Sequence, residues 1–168
     1  MATGQEEAGS SLAERAVAAM QAGKPGMYEW ELGAIMTSEF LRHGAMGAAY
    51  LAIVGSGPDA CILHYPEAKR QAQKGELVLI DYAAEYNYYV SDVTRTWPVD
   101  GKFTPRQREV YQAVYDAQEA AFQECKPGSD LGKVHEAAAK VLNDRGFGQA
   151  FWHGTSHWIG MATHDVGG

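Results

Sequence analysis

Apolar positions recur at helical spacing in four stretches of the chain and crowd into short runs between them. Leu12, Ala16, Val17 and Met20 share one face of a helix that Ser11 would cap, running to about Gln21 before Gly23-Lys24-Pro25-Gly26 breaks it. Leu32, Ile35, Met36 and Phe40 mark a second helix from about Tyr28 to Arg42, with Gly44 as its stop. Thr104-Pro105-Arg106-Gln107 has the form of a capping box with proline at the first helical position. The helix it opens reaches about Glu124, with Val110, Val114, Ala117 and Ala121 expected inward and Tyr111, Tyr115 and Phe122 beside them. Lys126-Pro127-Gly128 stops it. Ser129 or Asp130 then caps a fourth helix with Leu131, Val134, Ala138, Val141 and Leu142 as its stripe, ended by Arg145-Gly146.

The middle of the chain has a different pattern. Residues 49–54, 61–65 and 77–80 are short apolar runs with the look of strands, and 93–97 is a fourth β-rich run. Gly55-Ser56-Gly57-Pro58-Asp59 is a turn cluster, Lys74-Gly75 a turn before the Leu77 run, and Trp97-Pro98-Val99-Asp100-Gly101 ends the segment. Residues 1–10 are expected to form a flexible tail, leaving 11–168 as one domain.

Composition narrows the function classes. A chain of 168 residues with 46% hydrophobic and 21% charged residues has the makeup of a soluble globular protein. A formal charge of -7 argues against a nucleic-acid backbone as partner. Cys61 and Cys125 lack paired spacing and are expected as free thiols. No signal peptide and no membrane-length apolar run is visible, so the expectation is a cytoplasmic protein without a membrane partner.

Candidate chemistry gathers at two places. Asp81 closes the 77–80 run and Asp92 lies just before the 93–97 run. If the runs pair antiparallel, both carboxylates approach one point, either as solvated strand-end acids or as oxygen ligands for a hard divalent cation. Phe151 to Asp165 holds His153, His157 and His164 among glycines and aromatics. The His153/His157 spacing of four is not that of a zinc-protease helix, since glycines interrupt it and no glutamate follows His153. His64 interrupts an apolar run, as a hydrogen-bonded core residue or a functional one. His43 fits a helix end, and His135 and Glu136 need only packing or solvent roles.

Taken together, Ser56-Gly57-Pro58 with Ile62-Leu63-His64-Tyr65, Ile80-Asp81 with Ser91-Asp92-Val93-Thr94-Arg95-Thr96, and His153-Gly154-Thr155-Ser156-His157-Trp158-Ile159-Gly160 with His164-Asp165-Val166-Gly167 resemble the M24 metallopeptidases, nearest to Xaa-Pro aminopeptidases and prolidases. The resemblance implies an α+β pita-bread (creatinase/aminopeptidase) fold, an antiparallel sheet covered by helices. It implies hydrolysis of the bond before proline, in peptides with proline in second position, by a metal-bridged hydroxide. It implies two divalent ions, most often manganese, otherwise cobalt or zinc. Asp81 would bind one ion, Asp92 would bridge both, and His157 would bind the other. His64, His153 and His164 would line the cleft as catalytic residues. The chain departs from the family at Tyr82-Ala83, where glycine is common two residues past the first aspartate. The family's two glutamate ligands fall beyond the last histidine and are not in these 168 residues. The expectation is therefore a catalytic domain incomplete at its C-terminus, weak or inactive alone, with an exposed sheet edge open to self-association. The alternatives are a non-catalytic module that binds a peptide or protein and, less favoured because Asp81, Asp92 and His157 are kept, a metal-free hydrolase of the creatinase kind.

Overall fold

The computed structural model describes residues 17–166, so the expected flexible tail, Ser11, Leu12 and Ala16 lie outside the described residues. Described elements are helix α1 (17–22), α2 (Glu29–Arg42), strands β1 (Gly47–Ala48), β2 (Ile53–Ser56), β3 (Leu77–Asp81), β4 (Ala84–Tyr86), β5 (Tyr89–Val90) and β6 (Thr94–Pro98), then helices α3 (Pro105–Glu124) and α4 (Leu131–Asp144). They fall into two compact units. One runs to Phe103 and takes in Ile159–Val166, and the other is Thr104–Trp158.

The first unit holds two antiparallel sheets, ordered β1-β4-β5 and β2-β3-β6. Strand β3 alternates its burial, with Val78 and Ile80 inward, because one sheet face is covered. Leu32, Met36 and Phe40 of α2 are buried with Val54, Val78, Ile80 and Trp97 in one core. Burying each such side chain stabilises the fold by roughly 1.5–3 kcal/mol. Glu29, the first residue of α2, is also fully buried. Its Oε1 accepts from the Ser56 backbone N–H and hydroxyl, both at 2.7 Å, and its Oε2 from the Arg70 N–H at 3.0 Å. Arg70 in turn grips Glu76 with both guanidinium nitrogens at 2.6 Å, holding the Glu76 carboxyl below the usual range. This network ties the start of α2 to the end of β2 and to the 66–76 segment, the buried Glu29 carboxyl being hydrogen-bonded at both oxygens as burial demands.

Two expected strands change here. Residues 49–54 do not form one strand. Tyr50 and Leu51 interrupt it, and β2 begins at Ile53. Residues 61–65 are not a strand. Gly57 turns left-handed at φ 52° and Pro58 opens a 3-10 helix over Gly57–Cys61. Ile62 and Leu63 then lie exposed in a turn. A side chain on Gly55 would meet the Asp59 and Ala60 backbone at 2.8 Å, so glycine is needed where this helix folds back on β2.

In the second unit, the Thr104 capping box forms on both sides: Gln107 N–H donates to Thr104 Oγ1 at 3.2 Å and Thr104 N–H to Gln107 Oε1 at 2.8 Å. Asp130, rather than Ser129, caps α4. The inward face of α3 is Ala113, Ala117 and Ala121, packed on Val134, Ala138 and Leu142 of α4. Val110 and Val114 are exposed, contrary to the expectation, as are Tyr111, Tyr115 and Phe122. An alanine row at every fourth residue lets two helices approach closely, and the larger side chains are displaced to the other face.

Candidate metal centre

Asp81 is the last residue of β3 and stands opposite Thr94 of β6. Beyond that pair Tyr82 N–H donates to the Val93 carbonyl at 3.2 Å, which extends the ladder and brings Asp92, the next residue back, beside Asp81. Between the strands the chain leaves this sheet and makes the β4–β5 hairpin. Asn87 and Tyr88, at φ 51° and 66°, form its two-residue turn with the left-handed pair that matches strand twist. Ser91 closes the loop with its hydroxyl and N–H on the Ala84 carbonyl, at 3.1 and 3.2 Å. Asp81 and Asp92 thus sit where two sheets meet, held by strand pairing as the antiparallel expectation required.

Tyr50 completes this corner. Ala49 N–H donates to the Ala83 carbonyl at 2.9 Å and swings Tyr50 under the aspartates. Its hydroxyl is 2.6 Å from Asp81 Oδ1 and 3.1 Å from Asp92 Oδ1, so one proton serves two carboxylates. Its ring meets Tyr82 edge-on at 6.4 Å, and Tyr82 is itself packed on Phe40 and hydrogen-bonded to Thr37. Tyr82 therefore anchors the corner in the core. Burial, the Asp81 hydrogen bond and the two carboxylate charges all push the Tyr50 hydroxyl up, keeping it a donor. Burial likewise raises the Asp81 carboxyl, helped by the charge of Asp92, while hydrogen bonds from Tyr50 and Thr94 pull the other way. Two carboxylates this close, with the Asp81 carboxyl raised first by burial and then by the Asp92 charge, make a hard-oxygen pair. That donor set fits a divalent cation. Among the described residues, no three His, Cys, Asp or Glu side chains cluster so as to hold a metal ion.

The histidines divide between the units. His64 is exposed, at φ 53° in the turn after the 3-10 helix, which removes the core-histidine reading. His164 lies in a loop joined to β5, where Val90 N–H donates to the Gly160 carbonyl at 2.9 Å. Asp165 fixes that loop by accepting from Met161 N–H at 2.8 Å and Val166 N–H at 2.7 Å, bonds that hold its carboxyl below the usual range. Asp92 follows Val90 by two residues, so this loop and the carboxylate corner share one strand end.

His153 and His157 belong to the second unit, both exposed. His153 Nδ1 is 2.7 Å from the Gly154 carbonyl and His157 Nδ1 is 2.9 Å from the Trp158 carbonyl. A carbonyl only accepts, so each neutral ring carries its proton on Nδ1 and keeps Nε2 as the lone-pair nitrogen, the form that binds a metal or takes a proton. His43 sits at the end of α2, its Nδ1 2.8 Å from the Glu39 carbonyl, as its position suggested. His135 contacts Thr155 and Phe151, a tie its sequence position did not signal. Tyr50 was also not legible, because in a run of apolar residues it looks like any strand tyrosine.

The family model for metallopeptidase family M24 matches residues 6–168. The Xaa-Pro aminopeptidase of Escherichia coli strain K12 is 38% identical over 178 aligned residues, covering 95% of this chain and 40% of the relative. The solved proline aminopeptidase P II of Yersinia pestis superposes with a TM-score of 0.91 at 38% identity, over 100% of this chain and 43% of that one. Zinc-substituted E. coli aminopeptidase P in complex with product superposes at 0.86 with 40% identity, over 96% and 41% of the two chains. The likeness carries the aminopeptidase P pita-bread fold, mixed helix and antiparallel sheet, and the chain spans about 40% of the length of the curated relative it matches. On its sequence and its fold together, the chain is a member of metallopeptidase family M24.

Proposed function

We propose that the chain carries the Asp81, Asp92 and His157 part of a two-metal site, and that the reaction served is hydrolysis of the peptide bond before a proline in second position. The observation that supports this best is the Asp81–Tyr50–Asp92 corner, two carboxylates on one hydroxyl at 2.6 and 3.1 Å. Divalent ions, manganese foremost and cobalt or zinc otherwise, would supply water activation and carbonyl polarisation when bound. Asp81 would hold one ion, Asp92 would bridge, and His157 would offer Nε2 to the second. His64, His153 and His164 serve as polar groups of the substrate cleft. Imidazoles there would take up and pass protons, and one that carries a proton toward the cleft would donate to the developing oxyanion. Cytoplasmic location accords with free, exposed Cys61 and Cys125.

Three side chains supply few ligands for two ions, so the 168 residues alone should bind metal weakly and turn over little substrate. The test is a chimera in which these residues replace the matching part of the E. coli relative. Given manganese and a peptide with proline in second position, the chimera should be active, with His153→Ala and His164→Ala lowering turnover far more than metal content. A folded, metal-loaded chimera without activity overturns the proposal. So does turnover by the 168 residues alone near an ordinary enzyme rate, on the order of ten per second.

A further inference from the structure

The residues carrying His153 and His157, 151–158, contain no helix or strand, so no backbone ladder fixes them. Side-chain ties to α4 do so instead. Phe151 packs against the Ala113–Leu142 core of the second unit. His135, one residue past buried Val134 on α4, stacks on Phe151 with ring centroids 5.4 Å apart and planes 24° apart. Its Nδ1 lies 2.7 Å from Thr155 Oγ1, midway between the two histidines in sequence. Phe151 in turn meets the His153 ring edge-on at 5.5 Å. A hydrogen bond and a stacked ring therefore join one helix residue to both ends of a five-residue stretch.

We infer that His135 is a positioning residue: through Thr155 and Phe151 it fixes the His153–His157 segment to α4. The inference rests on the proposed role of those two histidines, but the attachment itself is a property of the chain without metal or substrate. A planar ring that carries a polar nitrogen at Nδ1 is suited to both contacts at once. A leucine at the same place would keep packing and lose the hold on Thr155, leaving the loop to sample other rotamers and backbone angles.

The experiment uses nitrogen-15 spectra of the imidazole rings in the metal-free 168-residue chain. Thr155→Val and His135→Phe should move the His153 and His157 ring signals toward those of a free histidine exchanging tautomers. Both should speed amide exchange over 152–158 up to about tenfold, the effect of one lost hydrogen bond. Their double variant should do no more than the larger single one. His135→Asn, whose amide reaches where Nδ1 stood, should restore the ring signals in good part. Unchanged ring signals in Thr155→Val and His135→Phe overturn the inference. Changes spread evenly over α3 and α4 also overturn it, since they would make His135 a packing residue. Manganese then separates the two readings. If the ring signals respond to the variants but His157 ignores manganese, the metal-site proposal fails and the positioning role stands. If His157 responds to manganese while its ring ignores the variants, the positioning role fails alone.

Discussion

Tyr50→Phe removes one hydroxyl from the carboxylate corner and leaves the ring and its edge contact with Tyr82 in place. The lost bonds are charge-assisted, a class worth about 1.5–3 kcal/mol. The site is half-buried, so solvent screening brings the expected loss to about 1–2 kcal/mol at pH 7 in the metal-free chain. The loss should depend on pH. In the fold the Asp81 carboxyl titrates above its ordinary 3.8, so between the two values the folded chain keeps a proton that the unfolded chain has released. Stability therefore falls as pH rises from the ordinary value through the folded one, and stays lower above it. Tyr50 opposes that shift, so Tyr50→Phe raises the folded value further and deepens the deficit at neutral pH. Toward pH 4 Asp81 takes up its proton, and its bond to the Tyr50 hydroxyl becomes a neutral one, worth roughly 0.5–1.5 kcal/mol. Urea unfolding, followed through the Trp97 and Tyr82 signals of the first unit, should show the midpoint falling by about 0.5–1 M at pH 7 and by clearly less at pH 4. An equal loss at both pH values, or a greater loss in acid, would refute the account of this corner.

Glu29→Ala should cost the first unit roughly 3–5 kcal/mol in urea unfolding, because the Ser56 and Arg70 donors are left buried without an acceptor. Gly57→Ala should cost roughly 1–3 kcal/mol, since a Cβ there sits 2.5 Å from Glu76 Oε1 on a backbone at φ 52°. Asp165→Ala should speed hydrogen exchange at the Met161 and Val166 amides while sparing Val78. The Asp165 carboxyl titrates below its ordinary value, so in the unmodified chain this protection is present above that value and is lost as pH falls through the folded one.

Strong periodicity made α2, α4 and the capped start of α3 legible, and the paired runs around Asp81 and Asp92 gave the β3–β6 ladder. What failed did so for physical reasons. The 61–65 run has strand composition, but Pro58 commits the preceding residues to a 3-10 turn and no neighbour offers a ladder. On α3 the large apolar residues suggested the buried face, whereas close helix packing selects the small ones. Tyr50, Glu29 and His135 act through partners 31, 27 and 20 residues away, distances at which a single sequence holds no pairing signal.

The central claim is that Asp81, Asp92 and His157 serve one metal site, and manganese relaxation tests it most directly. Substoichiometric manganese added to the labelled 168-residue chain should broaden the signals of Asp81, Asp92 and the His157 ring together. Asp92→Asn should abolish the effect at all three. Broadening at the aspartates with none at His157, or at His157 with none at the aspartates, would contradict the claim.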